Sequence, residues 1–239
     1  MANNDAESFT SFFQSWMNRQ NDFREELLNT ISSYASDRPE SMTQDELTSR
    51  DQRITDLLSR VRLHYLEYFE TKGRLIEADV YTILSSTWLT SYERVTLWVG
   101  GFKPGLVFRV VPRAELELTP DQETRIEAVL EEIMADEIWL TEEHSRIQRE
   151  APSIVAPYVT EAAQSGRIGT EGERVMNSLK SAFATLVACA DRVRVKATTK
   201  VIAILNPIQT VKFYVAMATH QVRMRELGLG MMGMGMGSG

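Results

Sequence analysis

Thr119-Pro120-Asp121-Gln122-Glu123-Thr124-Arg125-Ile126 opens the stretch whose reading decides the fold. The threonine hydroxyl can cap a helix. Proline suits the first helical position, where an N–H would go unpaired. An acid faces the positive end of the helix dipole, and glutamine takes the third position. Beyond this start Ile126, Val129, Leu130, Ile133, Leu140 and Ile147 recur at helical steps, which stacks them on one face of a helix ending before Pro152. A long helix with one apolar stripe needs partners of the same kind to cover it.

Those partners lie on both sides. Towards the N-terminus, Phe9, Phe12, Phe13, Trp16, Phe23, Leu27, Ile31 and Tyr34 share a helix face that ends near Asp37-Arg38-Pro39. A second helix starts at Thr43, with Glu46 completing a capping box. Its Leu47, Ile54, Val61 and Tyr68 form one heptad seam, and Leu58 and Tyr65 the other. An intramolecular hairpin with the first helix is expected in preference to a dimeric zipper, because the first helix needs a cover for its aromatics. The residues before the heptads, Asp37 to Met42, lack the dense basic stretch of a DNA-binding zipper.

Residues 79–99 read as helical in two pieces, the second from Ser91 to Val99 behind the capping box Thr90–Glu93, with Gly100-Gly101 as its stop. Residues 102–118 read as a connector, either a short packed helix or an extended buried segment.

Towards the C-terminus, residues 151–169 read as a loose link. Thr170 is expected to cap a long helix carrying Val175, Leu179, Phe183, Leu186, Ala190, Val193, Ala197, Val201 and Leu205. Asn206 then caps a last helix with Pro207 at its first position, and Gly228 is expected to end it. The glycine- and methionine-rich residues 229–239 read as a flexible tail. The predicted fold is all-α, a bundle of long antiparallel helices with short turns. It forms a single domain over residues 8–228.

Composition agrees and excludes much. The chain has 239 residues, 43% hydrophobic and 25% charged, with a net charge of −7. An acid excess argues against a dominant nucleic-acid surface, which needs clustered Lys and Arg. No apolar run reaches the roughly 20 residues of a membrane span. No secretory signal is read at the N-terminus. A single cysteine, Cys189, permits no internal disulfide, and its apolar neighbours read as a buried inert thiol.

No nucleophile-elbow, phosphate-loop or zinc-protease motif occurs. His64, His144 and His220 fall on different helices, and the pairs Glu131-Glu132 and Glu142-Glu143 read as solvated helix surface. The expectation is a protein that is not an enzyme, without metal or catalytic residues, in a reducing compartment.

Three separated stretches resemble one known family. Trp88-Leu89-Thr90-Ser91-Tyr92-Glu93, with Leu97-Trp98-Val99-Gly100-Gly101-Phe102-Lys103-Pro104, looks like the signature of the plant DOG (delay of germination) domain. That domain also forms the C-terminal part of TGA-type bZIP transcription factors. Ala190-Asp191-Arg192-Val193-Arg194 and Ile204-Leu205-Asn206-Pro207-Ile208-Gln209 resemble a second family motif, and Phe12 to Gln20 a first-helix motif. The motif positions singled out are Trp88, Glu93, Trp98, Gly100, Gly101, Pro104, Asp191, Arg194, Pro207 and Gln209.

The resemblance implies a stand-alone regulatory protein of abscisic-acid, seed-dormancy or stress signalling, in nucleus and cytoplasm. It would act by contact with type 2C protein phosphatases. Alternatively it is a co-regulator of TGA-type factors, or a sensor holding haem or an acyl chain. The phosphatase contact of the family maps onto Ser11, Phe12, Phe13, Trp16 and Met17, of which Phe12 and Trp16 also suit a core. The family's haem histidines fall on Gln221 and Arg225, so no cofactor is expected and His220 is the one haem candidate. Direct DNA binding is not expected, and the oligomeric state is open between a single chain and a homo- or hetero-oligomer. Gly100-Gly101 reads as architectural. Asp191 is expected to have a cationic partner, Arg194 or Arg192, because a buried lone carboxylate would cost several kcal/mol.

Overall fold

The computed structural model describes residues 2–36 and 42–235, with side chains from 6–36 and 42–230. The described residues form helices and connecting turns, with α1 Ala2–Ser36, α2 Gln44–Ser85, α3 Ser91–Val95, α4 Leu106–Val110, α5 Pro120–Ser165, α6 Thr170–Ile202 and α7 Pro207–Gly235. A 3-10 turn, Val111–Ala114, follows α4. The expected end of the first helix at Asp37–Pro39 lies outside the described residues.

Long helices pair antiparallel, as the cross-helix contacts establish. Arg19 meets Glu67 and Arg60 meets Glu26, which folds α1 back on α2 as the expected hairpin. Lys72 meets Asp191 and Lys180 donates to the Ala78 carbonyl, which sets α2 against α6. Glu132 meets Lys196 and Lys200, which sets α5 against α6. Between them lie two apolar centres. One gathers Leu27, Leu57, Val61, Ile133, Val201, Val211 and Phe213. The other gathers Phe9, Phe13, Trp16, Ile83, Trp88, Val187 and Leu140.

The predicted capping boxes at Thr43, Thr90 and Thr119 form with the expected partners Glu46, Glu93 and Gln122. Asn206 and Gln209 exchange side-chain to backbone hydrogen bonds at 2.9 Å each, so Asn206 does start α7. A break at Asp79 (φ −154°, ψ 96°) divides α2 where the segment 79–99 was expected to begin.

Several boundaries differ from expectation. The helix from Thr119 does not stop before Pro152 but continues to Ser165 with Pro152 and Pro157 inside it. Each proline removes one N–H, leaving the carbonyls of Gln148 and Ser153 without their helical donor. Both of these residues are exposed, so water can take that role at low cost. The long helix after the link begins at Thr170 but is not capped by it; Gly169 holds the cap position and offers no side chain. It ends at Ile202, short of Leu205, in a turn closed by the amides of Ile204 and Leu205. The segment after Thr90 is helical only to Val95, not to Val99. The connector resolves as a short packed helix, α4.

The expected stop of the last helix at Gly228 is also corrected, since α7 runs on to Gly235, and residues 236–239 lie outside the described residues. Glycine stops a helix when it turns left-handed, and Gly228 does not. It serves a close approach instead. A Cβ there would sit 2.0 Å from Thr90 Oγ1. Gly228→Ala is therefore expected to cost about 1–3 kcal/mol through overpacking. Gly230→Ala, with nothing within 4 Å, should instead stabilise by up to about 1 kcal/mol. Urea unfolding of the two variants side by side checks the contrast.

Candidate functional site

The residues between Trp98 and Gly101 make a tight two-residue turn. Trp98 N–H donates to the Gly101 carbonyl at 2.7 Å, and Gly101 N–H returns the bond at 3.2 Å. Its two central residues both have positive φ, Val99 at 46° and Gly100 at 68°. Glycine adopts this readily, whereas a β-branched valine there costs on the order of 1–3 kcal/mol. Ending the helix at Val95 and reversing the chain requires something to hold that strain.

The holding group is Arg194, 1% exposed on α6. Its Nε donates to the Phe102 carbonyl at 2.6 Å, and Nη2 donates to the carbonyls of Trp98 and Val99. Nη1 donates to Asp191 Oδ1 at 2.5 Å. Lys72, also 1% exposed, donates to the same carboxylate oxygen at 2.7 Å. Asp191 thus has the partner expected of it in Arg194, and a second in Lys72. Arg192 is not one of them, because it turns outward, where its Nη2 donates to Cys189 Sγ. Cys189 is half-buried, not buried. Burial, with the neighbouring Arg194 adding to it, brings the Lys72 ammonium down to about 8 despite Asp191. The glycines follow from close packing on either side of the turn. A Cβ on Gly101 would lie 2.8 Å from Arg194 Cζ, and one on Gly100 would lie 2.9 Å from Ile83 Cγ2.

The remaining motif residues are fasteners too. Glu93 accepts from Thr90 N–H at 2.7 Å and from Arg225 Nη1 at 2.8 Å, while Arg225 also donates to the Trp88 carbonyl at 3.0 Å. This docks the start of α3 onto α7, beside Gly228. Gln209 Nε2 donates to the Leu116 carbonyl at 3.0 Å, tying the connector to the Asn206-Pro207 cap. Pro104 is buried in the turn leading to α4, where Gly105 N–H donates to Glu137 Oε1 at 2.5 Å.

Around these fasteners runs a half-open cleft of about 820 Å³. The first-helix candidates divide across its wall. Phe13 and Trp16 are packed inside, 5% and 3% exposed; Phe12 and Met17 are half-buried; Ser11 is exposed. Trp16 stacks on the His64 ring at 4.5 Å and donates to the His64 backbone carbonyl at 2.9 Å. His220 borders the cleft from α7, lowered in pKa by burial and by the charge of Arg113. Both positions matching the family's haem histidines are already engaged. Gln221 bonds Gln20 and Tyr65, and Arg225 bonds Glu93. Among the described residues no cluster of His, Cys, Asp and Glu has the geometry of a metal site.

Lys72 and Glu137 are buried charged groups that sequence reading passed over. A signal was present, since Lys72 continues the apolar face of α2 beyond Tyr65 and Tyr68, and Glu137 falls between Ile133 and Leu140.

His64 is a further buried polar group. It is 5% exposed among Trp16, Phe23 and Tyr65, with neither ring nitrogen hydrogen-bonded, and burial lowers it to about 4, with Arg19 adding to the shift. Unfolded histidine titrates near 6.5, so the unfolded chain takes up the proton first. The neutral ring's contribution is fully present above pH 6.5 and is lost as pH falls from there to about 4. The loss should be on the order of 2–3 kcal/mol. His64→Phe should flatten that part of the urea stability–pH curve.

Residues 37–112 match the family DOG1, seed dormancy control. Protein ZW2 of Arabidopsis thaliana is 31% identical, over 94% of this chain and 97% of its own length. Protein RESPONSE TO ABA AND SALT 1 of the same plant is 29% identical, over 92% of this chain and 95% of its own length. Transcription factor TGA5, also from Arabidopsis thaliana, is 22% identical over 95% of this chain, and the alignment spans 65% of that factor.

Proposed function

Because this chain belongs to the DOG1 family of seed dormancy control, we propose that it is a plant regulatory protein working by protein contact in abscisic-acid, dormancy or stress signalling, and that it binds type 2C protein phosphatases. The likeness to protein RESPONSE TO ABA AND SALT 1 over nearly the whole of both chains carries this reading. It works as a docking protein and not as an enzyme, in nucleus and cytoplasm.

The contact lies at the start of α1. Ser11 is exposed and Phe12 and Met17 are half-buried at the edge of the core, while Phe13 and Trp16 anchor the same turns to α2 from inside. An aromatic at the rim of a pre-ordered helix is a suitable binding anchor, because little entropy is lost on docking. In a pull-down, the chain should enrich a clade-A type 2C phosphatase. Phe12→Ala should weaken capture about tenfold while the variant stays folded at the assay temperature, with a smaller fall in melting temperature than Trp16→Ala. Absence of enrichment by the unaltered chain would overturn the reading.

Likeness to transcription factor TGA5 over 95% of this chain supports a second reading, a co-regulator pairing its helical domain with that of a TGA-type factor. A mixed complex on size exclusion, in place of phosphatase capture, would favour it. The cleft supports a third, a sensor for an acyl chain or haem. It is lined by aromatic and methionine side chains, and the buried Trp88 Nε1 has no hydrogen-bond partner. A Soret band lost in His220→Ala would favour haem.

A further inference from the structure

A second concavity, of about 570 Å³, lies along α7 between the end of α1 and the 3-10 turn, meeting the cleft at His220 and Met224. Lys212, Ala216, Thr219, Arg223 and Leu227 follow one another along α7 at helical steps and form its wall. Its floor is aliphatic, with Ile31 from α1 and Val215 from α7, and Leu227 at its end is 51% exposed.

Its rim is cationic. Arg113 and Arg223 are exposed, and neither has an ion pair among the described residues. Lys212 donates to the Glu115 backbone carbonyl at 3.1 Å, and the nearest carboxylate oxygen, on exposed Glu117, is 3.7 Å away. Among the described residues the only acid lining the concavity is Glu115, and the fourth basic side chain is His220. In a chain of net charge −7, three cations gathered over an aliphatic floor are a local reversal of sign.

We propose that this surface of α7 docks an acidic amphipathic helix of a partner protein, its aliphatic side chains on the floor and its Asp and Glu side chains against Arg113, Lys212 and Arg223. Helix-in-groove recognition needs an apolar trough with charged edges, and complementary edges set orientation and on-rate. A nucleic acid is disfavoured because three cations neutralise few phosphates within an acidic protein. A lipid surface is disfavoured because Ile31 and Val215 are half-buried in a concavity and Leu227 alone of its apolar lining is exposed, too little to insert into a bilayer. This docking surface is separate from the α1 rim and does not depend on the phosphatase reading.

The test uses the full chain and a fluorescein-labelled helical peptide of leucine at every third or fourth position and glutamate between. Anisotropy should show saturable binding that weakens with added salt. Arg113→Glu combined with Arg223→Glu should weaken it at least about tenfold, with an unchanged circular-dichroism melt because both side chains are exposed. Leu227→Asp should weaken it as well, and a peptide with leucine replaced by glutamine should not bind. Phe12→Ala should bind like the unaltered chain, which keeps this result apart from the phosphatase test. No binding would overturn the proposal. So would equal binding by the charge-reversed variant, or capture of a DNA duplex or anionic vesicles through the same arginines without capture of the peptide.

Discussion

Arg194→Met should destabilise the chain by about 3–5 kcal/mol, the range found when one partner of a buried charged network is removed. Methionine keeps the apolar stem but takes away every donor. The Val99 and Phe102 carbonyls lose the guanidinium that they share, and the left-handed Val99 loses what holds it. Asp191 keeps Lys72, so no lone carboxylate is created, and the loss reports mainly on the turn. Arg194→Lys should recover less than half, because one ammonium cannot span carbonyls on both sides of the turn. Hydrogen exchange distinguishes this from general loosening, because residues 97–103 should lose protection ahead of α5 and α7. Uniform exchange across the helices would show that Arg194 does not act through the turn.

Trp16→Ala should cost about 3–5 kcal/mol. The indole is 3% exposed, stacks on His64, contacts Phe13, Tyr65 and Tyr68, and has its N–H bonded to a carbonyl of α2. Removing it leaves a cavity between α1 and α2 that the aromatic ring of His64 cannot fill. In a domain of this size that corresponds to a fall in melting temperature of about 10 °C. The comparison with Phe12→Ala separates folding from contact on the same helix. Phosphatase capture lost in Trp16→Ala only in proportion to unfolding, and lost in Phe12→Ala without unfolding, assigns core and contact to different residues. A stable Trp16→Ala variant would mean that the two helices are held elsewhere.

Helix identity was legible from local chemistry. Apolar steps of three and four, the Thr43, Thr90, Thr119 and Asn206 caps, and Pro207 at a first position act within a few residues, so they can be read without knowing the fold. Boundaries were less legible where the deciding contact is remote. Pro152 looks like a stop until the exposure of the preceding turn is known, and Gly228 looks like a stop until Thr90 is found against it. Of the candidate site, Trp98, Gly100, Gly101, Asp191 and Arg194 were visible as two motifs, but not as one object. Their sequence separation hides that Gly101 leaves room for the guanidinium and Gly100 for Ile83 and Val187.

By itself, then, the sequence determined an all-helical chain with amphipathic faces and a family signature, because periodicity and capping are properties of neighbouring residues. Only the tertiary structure decided which faces meet, that Arg194 is the centre of the Trp98–Phe102 turn, and that Trp16 belongs inside while Phe12 stands at the rim. It also decided that Arg113 and Arg223 border the same hollow. Those facts depend on distances between helices far apart in the chain, and the burial of a charge or the exposure of a ring exists only once those helices have packed.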